Sequence, residues 1–181
     1  MSDEKIKLEL GGGKNRLPGY LNIDDRGEHS GDHIVADLIA VGSGQRRLEF
    51  SDRSFFPDDS VCEVYSSHCF EHIEPLDGLI AEICRGCHNG AKVQIRVPHW
   101  GSPEAMCAGH KHVITPKVVH EWCERVYHGK KLDLVTTMFM PSEHYERAAA
   151  LFPNYTIYDL SLYVPATMFE SQFSFNVQRV S

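Results

Sequence analysis

The N-terminal half of the sequence contains five short apolar segments, and the first four end at glycines, acids or a Ser-Ser-His run. In the first segment Ile6, Leu8 and Leu10 alternate with polar residues, which is typical of a β-strand. The five segments read IKLEL, GYLNID, DHIVADL, SVCEVYSS and AKVQIRVP. A stretch with helical apolar spacing, EPLDGLIAEICRGCHNG, precedes the fifth. This order of elements predicts an open α/β sheet.

The helical stretch has one apolar face, which is predicted to pack on the sheet. That face consists of Leu76, Leu79, Ile80, Ile83 and Cys87. We expect the helix to begin at Pro75, because proline suits a first helical position, and to end at Asn89-Gly90. Helices are also predicted within TPKVVHEWCERVYHG and PSEHYERAAALFPNY, and two closing strands within TIYDLSLYV and SQFSFNVQRV.

The residues that follow the first strands are expected to meet at one edge of the sheet. Ligands of open α/β sheets bind outside the carboxyl ends of the strands. Glycines 11–13, Asp24, Asp37 and the Ser67-His68 pair all fall there. A glycine-rich turn lets a ligand approach the backbone, and an acid ending the second strand can accept hydrogen bonds from two ribose hydroxyls. The pattern favours a nucleoside site, with a flexible glycine turn and a solvated Asp24 as the open alternatives.

The ordered set of motifs resembles a known family. The chain reads LELGGG, GYLNIDD, VADL, FPDDSVCEVYSSHCFEHI and IAEICRGCHNGAKVQIRVP in that order. This is similar to the class I S-adenosylmethionine-dependent methyltransferases, and more closely to their small, methyltransferase-11-like members, over residues 5–98. The resemblance implies a Rossmann-like three-layer α/β sandwich. Its mostly parallel seven-stranded sheet would have an antiparallel last strand between strands five and six.

The resemblance also implies roles for individual residues toward S-adenosylmethionine. Glu9 and the glycines match the positions around the methionine portion and the ribose, and Asp24 matches the ribose acid. Asp37 and Leu38 match adenine-side positions, and Ser67 and His68 match positions beside the methionine portion. The implied cofactor residues are Glu9, Gly11, Gly12, Gly13, Asp24, Asp37, Leu38, Ser67 and His68.

The link between the first two strands is shorter than the family pattern leads one to expect. Nine residues, 11–19, join them, whereas a parallel crossover usually takes a dozen or more. We therefore expect the first helix to be short or missing. One face of the sheet would then be thinly covered, which favours a homodimer. The segment 39–56 is long for this family and is interpreted as a lid over adenine.

A histidine-rich segment follows the fifth strand, on the side of the sheet where an acceptor would bind. We predict a single domain over residues 1–181, with residues 99–153 as a substrate-side insertion between strands five and six. Histidine suits a general base near neutral pH, so His110, His112, His68 and His99 are the candidate catalytic residues. Surface or capping roles, and metal binding, are the alternatives for such a histidine cluster, which also includes His120.

Two spacings resemble fragments of metal sites. Cys84 and Cys87 have the spacing of half a zinc site, but no second pair accompanies them, and cysteine is a common core residue. His68 and His72 are four residues apart, as in some zinc sites. The prediction is that no metal is bound at either position.

Charge and composition narrow the expected function. The net charge of −7 argues against a nucleic-acid partner, which needs a basic face. The N-terminus has no signal-peptide pattern and no apolar run is long enough for a membrane span, so we expect a cytoplasmic protein without a membrane partner. With the resemblance, this predicts O- or N-methylation of a small molecule, such as a natural product or a sugar intermediate. A metal-dependent enzyme on this fold and a non-catalytic binding domain are the alternatives.

Overall fold

A computed structural model describes residues 5–13, 16–24, 33–35, 41–44, 47–48, 54–164 and 167–181. Within these residues the chain forms a mixed β-sheet with helices packed against it. The strands are β1 Ile6–Leu10, β2 Leu21–Asp24, β3 His33–Val35, β4 Val61–Ser67, β5 Cys87–Pro98, β6 Lys130–Pro141 and β7 Met168–Arg179. The helices are α1 Leu76–Gly86, α2 Pro116–Glu124, α3 Tyr145–Leu151 and α4 Ile157–Tyr163, with short 3₁₀ helices at Phe70–His72 and Pro103–Met106.

The strand order is β3-β2-β1-β4-β5-β7-β6. Strands β1 to β5 pair in parallel, whereas β7 pairs antiparallel with β5 on one side and β6 on the other. This arrangement is the Rossmann-like α/β fold that the sequence predicted. Because β1 lies between β2 and β4, the carboxyl ends of these three strands are neighbours at one edge.

The core lies between the sheet and the helices. The central strands contribute alternating apolar side chains such as Leu8, Leu10, Val93 and Ile95, each at most 1% exposed. Helix α1 packs on them through Leu76, Leu79, Ile80 and Ile83, as its apolar spacing predicted. Cys87 does not belong to that face, because α1 ends at Gly86 and Cys87 already begins β5.

The link from β1 to β2 contains no helix in its described residues, 11–13 and 16–20. A short or missing first helix stays a prediction, because residues 14 and 15 lie outside the described part of the chain. Of the segment 39–56, the described Val41, Leu48 and Phe56 are buried in the core, and the Leu48 amide donates to Glu82 Oε1 at 3.0 Å. Most of its remaining residues lie outside the described part of the chain, so a lid over adenine stays a prediction.

The predicted sixth strand is wrong. Residues 157–163, within TIYDLSLYV, form helix α4, and the sixth strand in chain order is β6 instead. A capping box explains the helix, because Thr156 accepts a hydrogen bond from the Asp159 amide while the Asp159 carboxylate accepts one from the Thr156 amide. The insertion between β5 and β6 therefore spans 99–129 rather than 99–153, and a second segment, 142–167, lies between β6 and β7.

A buried lysine at the start of β6 closes the carboxyl end of α1. Lys130 Nζ donates hydrogen bonds to the carbonyl oxygens of Cys84, Arg85 and Cys87 at 3.0, 3.1 and 2.6 Å. It also lies 2.6 Å from Asp59 Oδ1. The last carbonyls of a helix have no partners within the helix, and this one ammonium group supplies hydrogen bonds to two of them and to the first carbonyl of β5.

We predict that Lys130→Met lowers the free energy of unfolding by about 3 kcal/mol, because buried carbonyls lose charge-assisted hydrogen bonds. Lys131→Met, at the next residue of β6, is the matched control and should change stability by less than about 0.5 kcal/mol. Urea denaturation followed by circular dichroism measures both. Equal stabilities of the two variants would contradict the role given to Lys130.

Candidate active site

The glycine turn after β1 sits at the carboxyl edge of the parallel strands. The Gly11 amide donates to the Ile23 carbonyl at 2.8 Å, and Ser66 Oγ donates to the Leu10 carbonyl at 3.1 Å. These two contacts join the ends of β1, β2 and β4. The turn therefore lies where an open α/β sheet binds its ligand.

Two polar side chains of β2 hold the turn. The Gly12 amide donates to Asn22 Oδ1 at 3.1 Å, and the Gly13 amide donates to Asp24 Oδ2 at 2.8 Å. Asn22 is 1% and Asp24 7% exposed. Asn22 was not among the predicted residues, although its place two residues before Asp24 puts it on the same face of β2 and signals a shared role.

A third buried polar side chain, Glu9, holds the far end of the turn. Its Oε2 accepts a hydrogen bond from the Leu17 amide at 2.9 Å. Glu9 is 3% exposed, so its position is fixed by packing as well as by this bond. Glu9 thus helps to shape the backbone of the link between β1 and β2.

Sterics explain why glycine stands at positions 11 and 12. Gly11 has φ +71° and a Cβ there would lie 2.7 Å from Cys69 Cβ. A Cβ on Gly12 would lie 2.5 Å from Glu9 Cδ and 2.7 Å from Asn22 Oδ1. All three distances are shorter than real Cβ contacts, so the turn leaves no room for a side chain at either position.

The exit of β4 carries a charged network that the sequence did not predict. His68 adopts φ +53°, and its Nε2 lies 2.7 Å from Glu170 Oε1 on β7. Arg96 of β5 forms an ion pair with the other oxygen of Glu170. On the opposite side of the ring, His68 Nδ1 lies 3.4 Å from Glu71 Oε1. The Glu71 and Glu170 carboxylates hold the pKa of His68 above its usual value, Glu71 contributing most.

His99, a predicted catalytic residue, is buried directly after β5. It is 1% exposed and stacks on Trp100, with ring centroids 3.9 Å apart. The Gly101 amide donates to His99 Nδ1 at 3.0 Å, which puts the proton of the neutral ring on Nε2. Burial lowers the pKa of His99 to about 4. A neutral ring whose Nδ1 lone pair is already used is poorly suited to act as a base, so a catalytic role of His99 stays a prediction.

His110 and His112 lie beside the 3₁₀ helix that follows β4. The Lys111 and His112 amides both donate to the Glu71 carbonyl, at 2.6 and 3.2 Å. The structure thus brings His68, Glu71, His110 and His112 to one region at the carboxyl edge, whereas His120 lies on the exposed surface of α2 and pairs with Glu124.

The remaining predicted residues fall into two groups. Asp37 and Leu38 lie outside the described residues, so their adenine-side role stays a prediction. Cys84 and Cys87 are fully buried, and burial raises the pKa of both thiols, that of Cys84 to about 12. A thiol held neutral in this way is a poor metal ligand, because the thiolate is the form that binds.

An open cavity of about 490 Å³ lies at the same edge, beyond β5 and β6. Its lining comes from the Pro103–Met106 helix, from the end of β6 and from the start of β7. The lining residues are Ser102, Pro103, Glu104, Pro141, Ser142, Glu143, His144, Met168 and Phe169. Its volume lies within the range of small-molecule sites.

Comparison with solved structures identifies the fold. A SAM-dependent methyltransferase from Archaeoglobus fulgidus matches with a TM-score of 0.58 and 15% identity, over 95% of this chain and 86% of that one. A second SAM-dependent methyltransferase, from Mesorhizobium loti, matches with a TM-score of 0.56 and 11% sequence identity, over 97% of this chain and 93% of that one. A third match is geranyl diphosphate C-methyltransferase from Streptomyces coelicolor, which was solved with Mg²⁺, geranyl diphosphate and S-adenosylhomocysteine. Its TM-score is 0.55 and its sequence identity 10%, over 99% of this chain and 74% of that one.

No family model and no curated protein sequence matches the chain. At identities this low the structural likeness establishes the fold alone. The chain has the fold of the S-adenosylmethionine-dependent methyltransferases, which the sequence resemblance predicted. The methyltransferase-11-like subtype stays a prediction. Among the described residues, no helix is long and apolar enough to cross a membrane.

We predict that Gly12→Ala lowers the free energy of unfolding by about 2 kcal/mol, because the new methyl group overlaps buried Glu9 and Asn22. Gly86→Ala, at the last residue of α1, is the matched control, since its Cβ would meet Val61 at an ordinary 3.6 Å. That change should be neutral or stabilise by up to about 1 kcal/mol. Chemical denaturation measures the difference, and equal effects would show that the turn has spare room.

We predict that His99 makes stability fall as the pH drops from about 6.5 to about 4. In this pH window His99 is protonated in the unfolded chain but stays neutral in the folded one, so acid favours unfolding. Above about pH 6.5 the ring is neutral in both states, and its contribution to stability no longer changes with pH. The full effect is about 3 kcal/mol. His99→Asn keeps an acceptor for the Gly101 amide and should show a flatter pH profile in urea denaturation. Parallel profiles of the two proteins would contradict this.

Proposed function

We propose that this protein transfers a methyl group from S-adenosylmethionine to a small-molecule acceptor. The observation that carries the proposal is the glycine turn after β1, held by Glu9, Asn22 and Asp24 at the carboxyl edge of a methyltransferase fold. Several structural neighbours with this fold are methyltransferases, and one of them was solved with S-adenosylhomocysteine and geranyl diphosphate, whereas another neighbour is a [4+2]-cyclase. That likeness supports the proposal without establishing the acceptor.

The residues of the turn suit the cofactor. A carboxylate has about four acceptor positions, so Asp24 can hold the Gly13 amide and still accept hydrogen bonds from ribose hydroxyls. Glycine at positions 11 and 12 lets the turn pack closely on Cys69, Glu9 and Asn22, and this fixes the backbone beside which the methionine portion is proposed to lie. Asp37 and Leu38 are proposed on the adenine side, and Ser67 and His68 beside the methionine portion.

The sulfonium of the cofactor supplies a methyl group with a good leaving group, so the protein's task is to orient the acceptor. Holding two reactants in line is worth several kcal/mol. The cavity of about 490 Å³ beyond β5 and β6 is the proposed acceptor pocket. Its Glu104, Glu143 and His144 would contact polar groups of the acceptor, while Met168 and Phe169 would contact apolar ones.

Methylation of a hydroxyl or a protonated amine needs a base. His110 and His112 stay the first candidates, because they lie beside the exit of β4 on the carboxyl edge. His68 is a weaker candidate, since its ring is already engaged by Glu170. His99 is the weakest, for the reasons of burial and tautomer given above. We propose that residues 1–181 form one catalytic domain, which acts as a monomer or a homodimer. Neither a nucleic acid nor a membrane is proposed as a partner.

The proposal predicts that S-adenosylhomocysteine binds and that Asp24→Asn weakens binding about 10- to 100-fold, the value of a hydrogen bond to a charged group. Asparagine keeps the shape and an acceptor for the Gly13 amide, so the turn should survive. Isothermal titration calorimetry measures the change. Turnover is then tested by S-adenosylhomocysteine formation with panels of small hydroxyl and amine acceptors.

Asp133→Asn, on β6 and far from the turn, is the matched control and should bind like wild type. Thermal unfolding of all three proteins checks that they fold. A wild-type protein that gives neither heat nor a thermal shift with S-adenosylmethionine or S-adenosylhomocysteine would exclude the proposed function.

A further inference from the structure

Beside the exit of β4 lies a cluster of metal-ligating side chains that methyl transfer does not require. One donor atom each from Glu71, His72 and His110 lies within 4.8 Å of the other two. Glu71 and His72 belong to the 3₁₀ helix Phe70–His72, and His110 belongs to the loop after β5. That loop is fastened to the helix by the hydrogen bonds from Lys111 and His112 to the Glu71 carbonyl.

The carboxylate of Glu71 is the unusual member of the cluster. It is 2% exposed, and within the described chain neither of its oxygens takes part in a hydrogen bond. Its ion-pair contact is His68 Nδ1 at 3.4 Å, and His68 has a much closer partner in Glu170 at 2.7 Å. A buried carboxylate normally contacts a cation or accepts several hydrogen bonds, so a bound cation would account for the burial of Glu71.

The histidines of the cluster point to the same conclusion. His110 Nδ1 is buried without a hydrogen bond among the described residues. His72 Nδ1 lies 3.2 Å from the Gly109 carbonyl. Donation from Nδ1 would leave the Nε2 lone pair of His72 available, and a backbone carbonyl on the second ring nitrogen is a common feature of metal-bound histidine.

We propose that Glu71, His72 and His110 bind one divalent transition-metal ion, and that Zn²⁺ fits the donor set best. Two imidazoles and one carboxylate form a known zinc ligand set with bonds of about 2.0–2.2 Å, which leaves a further position for water or an acceptor oxygen. Donor atoms within 4.8 Å reach such bonds by side-chain rotation, and the exposed ring of His72 has room to turn. This departs from the sequence-based prediction of no metal.

The site lies next to His68, between the glycine edge and the histidine loop. An ion there would polarise an acceptor hydroxyl or carboxylate, as a Lewis acid does. It would also use the lone pair of His110, which leaves His112 as the loop histidine free to act as a base. Metal binding itself does not depend on the proposed methyl transfer, and it is measured without S-adenosylmethionine.

The test is metal binding by the full chain. Protein stripped with a chelator is titrated with Zn²⁺ against a competing indicator, and with Co²⁺, whose visible absorption reports the coordination. We expect one ion per chain with nitrogen and oxygen ligands. Glu71→Gln, His72→Ala and His110→Ala should each weaken Zn²⁺ binding by about 100-fold or more, beyond the loss seen for outer-shell changes.

His120→Ala on α2 is the matched control and should bind Zn²⁺ like wild type. Because Glu71 is buried, thermal unfolding is used to check that the Glu71→Gln variant folds. If it does not fold, His72→Ala, which changes an exposed side chain, is the deciding variant. Wild-type protein without saturable Zn²⁺ or Co²⁺ binding, or three variants that bind like wild type, would overturn the site. S-adenosylhomocysteine binding by stripped protein reports on the proposed function separately.

Discussion

Three buried side chains, Glu9, Asn22 and Asp24, shape the turn after β1 by accepting hydrogen bonds from its backbone, and the remainder of the site depends on that shape. Nine residues join β1 to β2, and these side-chain acceptors hold the backbone of that link at Gly12, Gly13 and Leu17. The carboxylate of Asp24, which fixes Gly13, is also the group proposed to accept the ribose hydroxyls, so the shape of the turn and the proposed binding depend on one residue.

The exit of β4 is organised by a second principle, which is charge pairing across the sheet. Glu170 on β7 engages both Arg96 on β5 and His68 after β4, so the antiparallel strand reaches the site through one carboxylate. Insertion of β7 beside β5 is what brings Glu170 there, opposite Pro98 in the strand register. The position of β7 in the sheet thus has a chemical consequence at the exit of β4.

The sequence predicted the elements whose signals are local. The alternation in Ile6–Leu10, the helical spacing from Leu76 to Ile83, the glycines after β1 and Asp24 at the end of β2 all appear in the structure. Residues 157–163 were predicted to be a strand because of their apolar content, but they form a helix. The sequence contains the helix-capping pair Thr156 and Asp159, which the strand prediction did not take into account. Arg96 and Glu170 were missed because they lie 74 residues apart, and nothing in the sequence joins them. Glu71 was not predicted as a site residue, because its unusual feature is its burial, and burial becomes apparent only in the folded structure.

Lys130 also has a consequence for the order in which the chain can fold. Its ammonium group reaches carbonyls 43 to 46 residues earlier, at the end of α1 and the start of β5. During synthesis the N-terminal strands emerge first, yet the end of α1 lacks the ammonium donor of Lys130 until β6 has left the ribosome. The parallel half of the sheet is therefore expected to stay incomplete at this junction until the C-terminal hairpin arrives, which makes the two halves one cooperative unit.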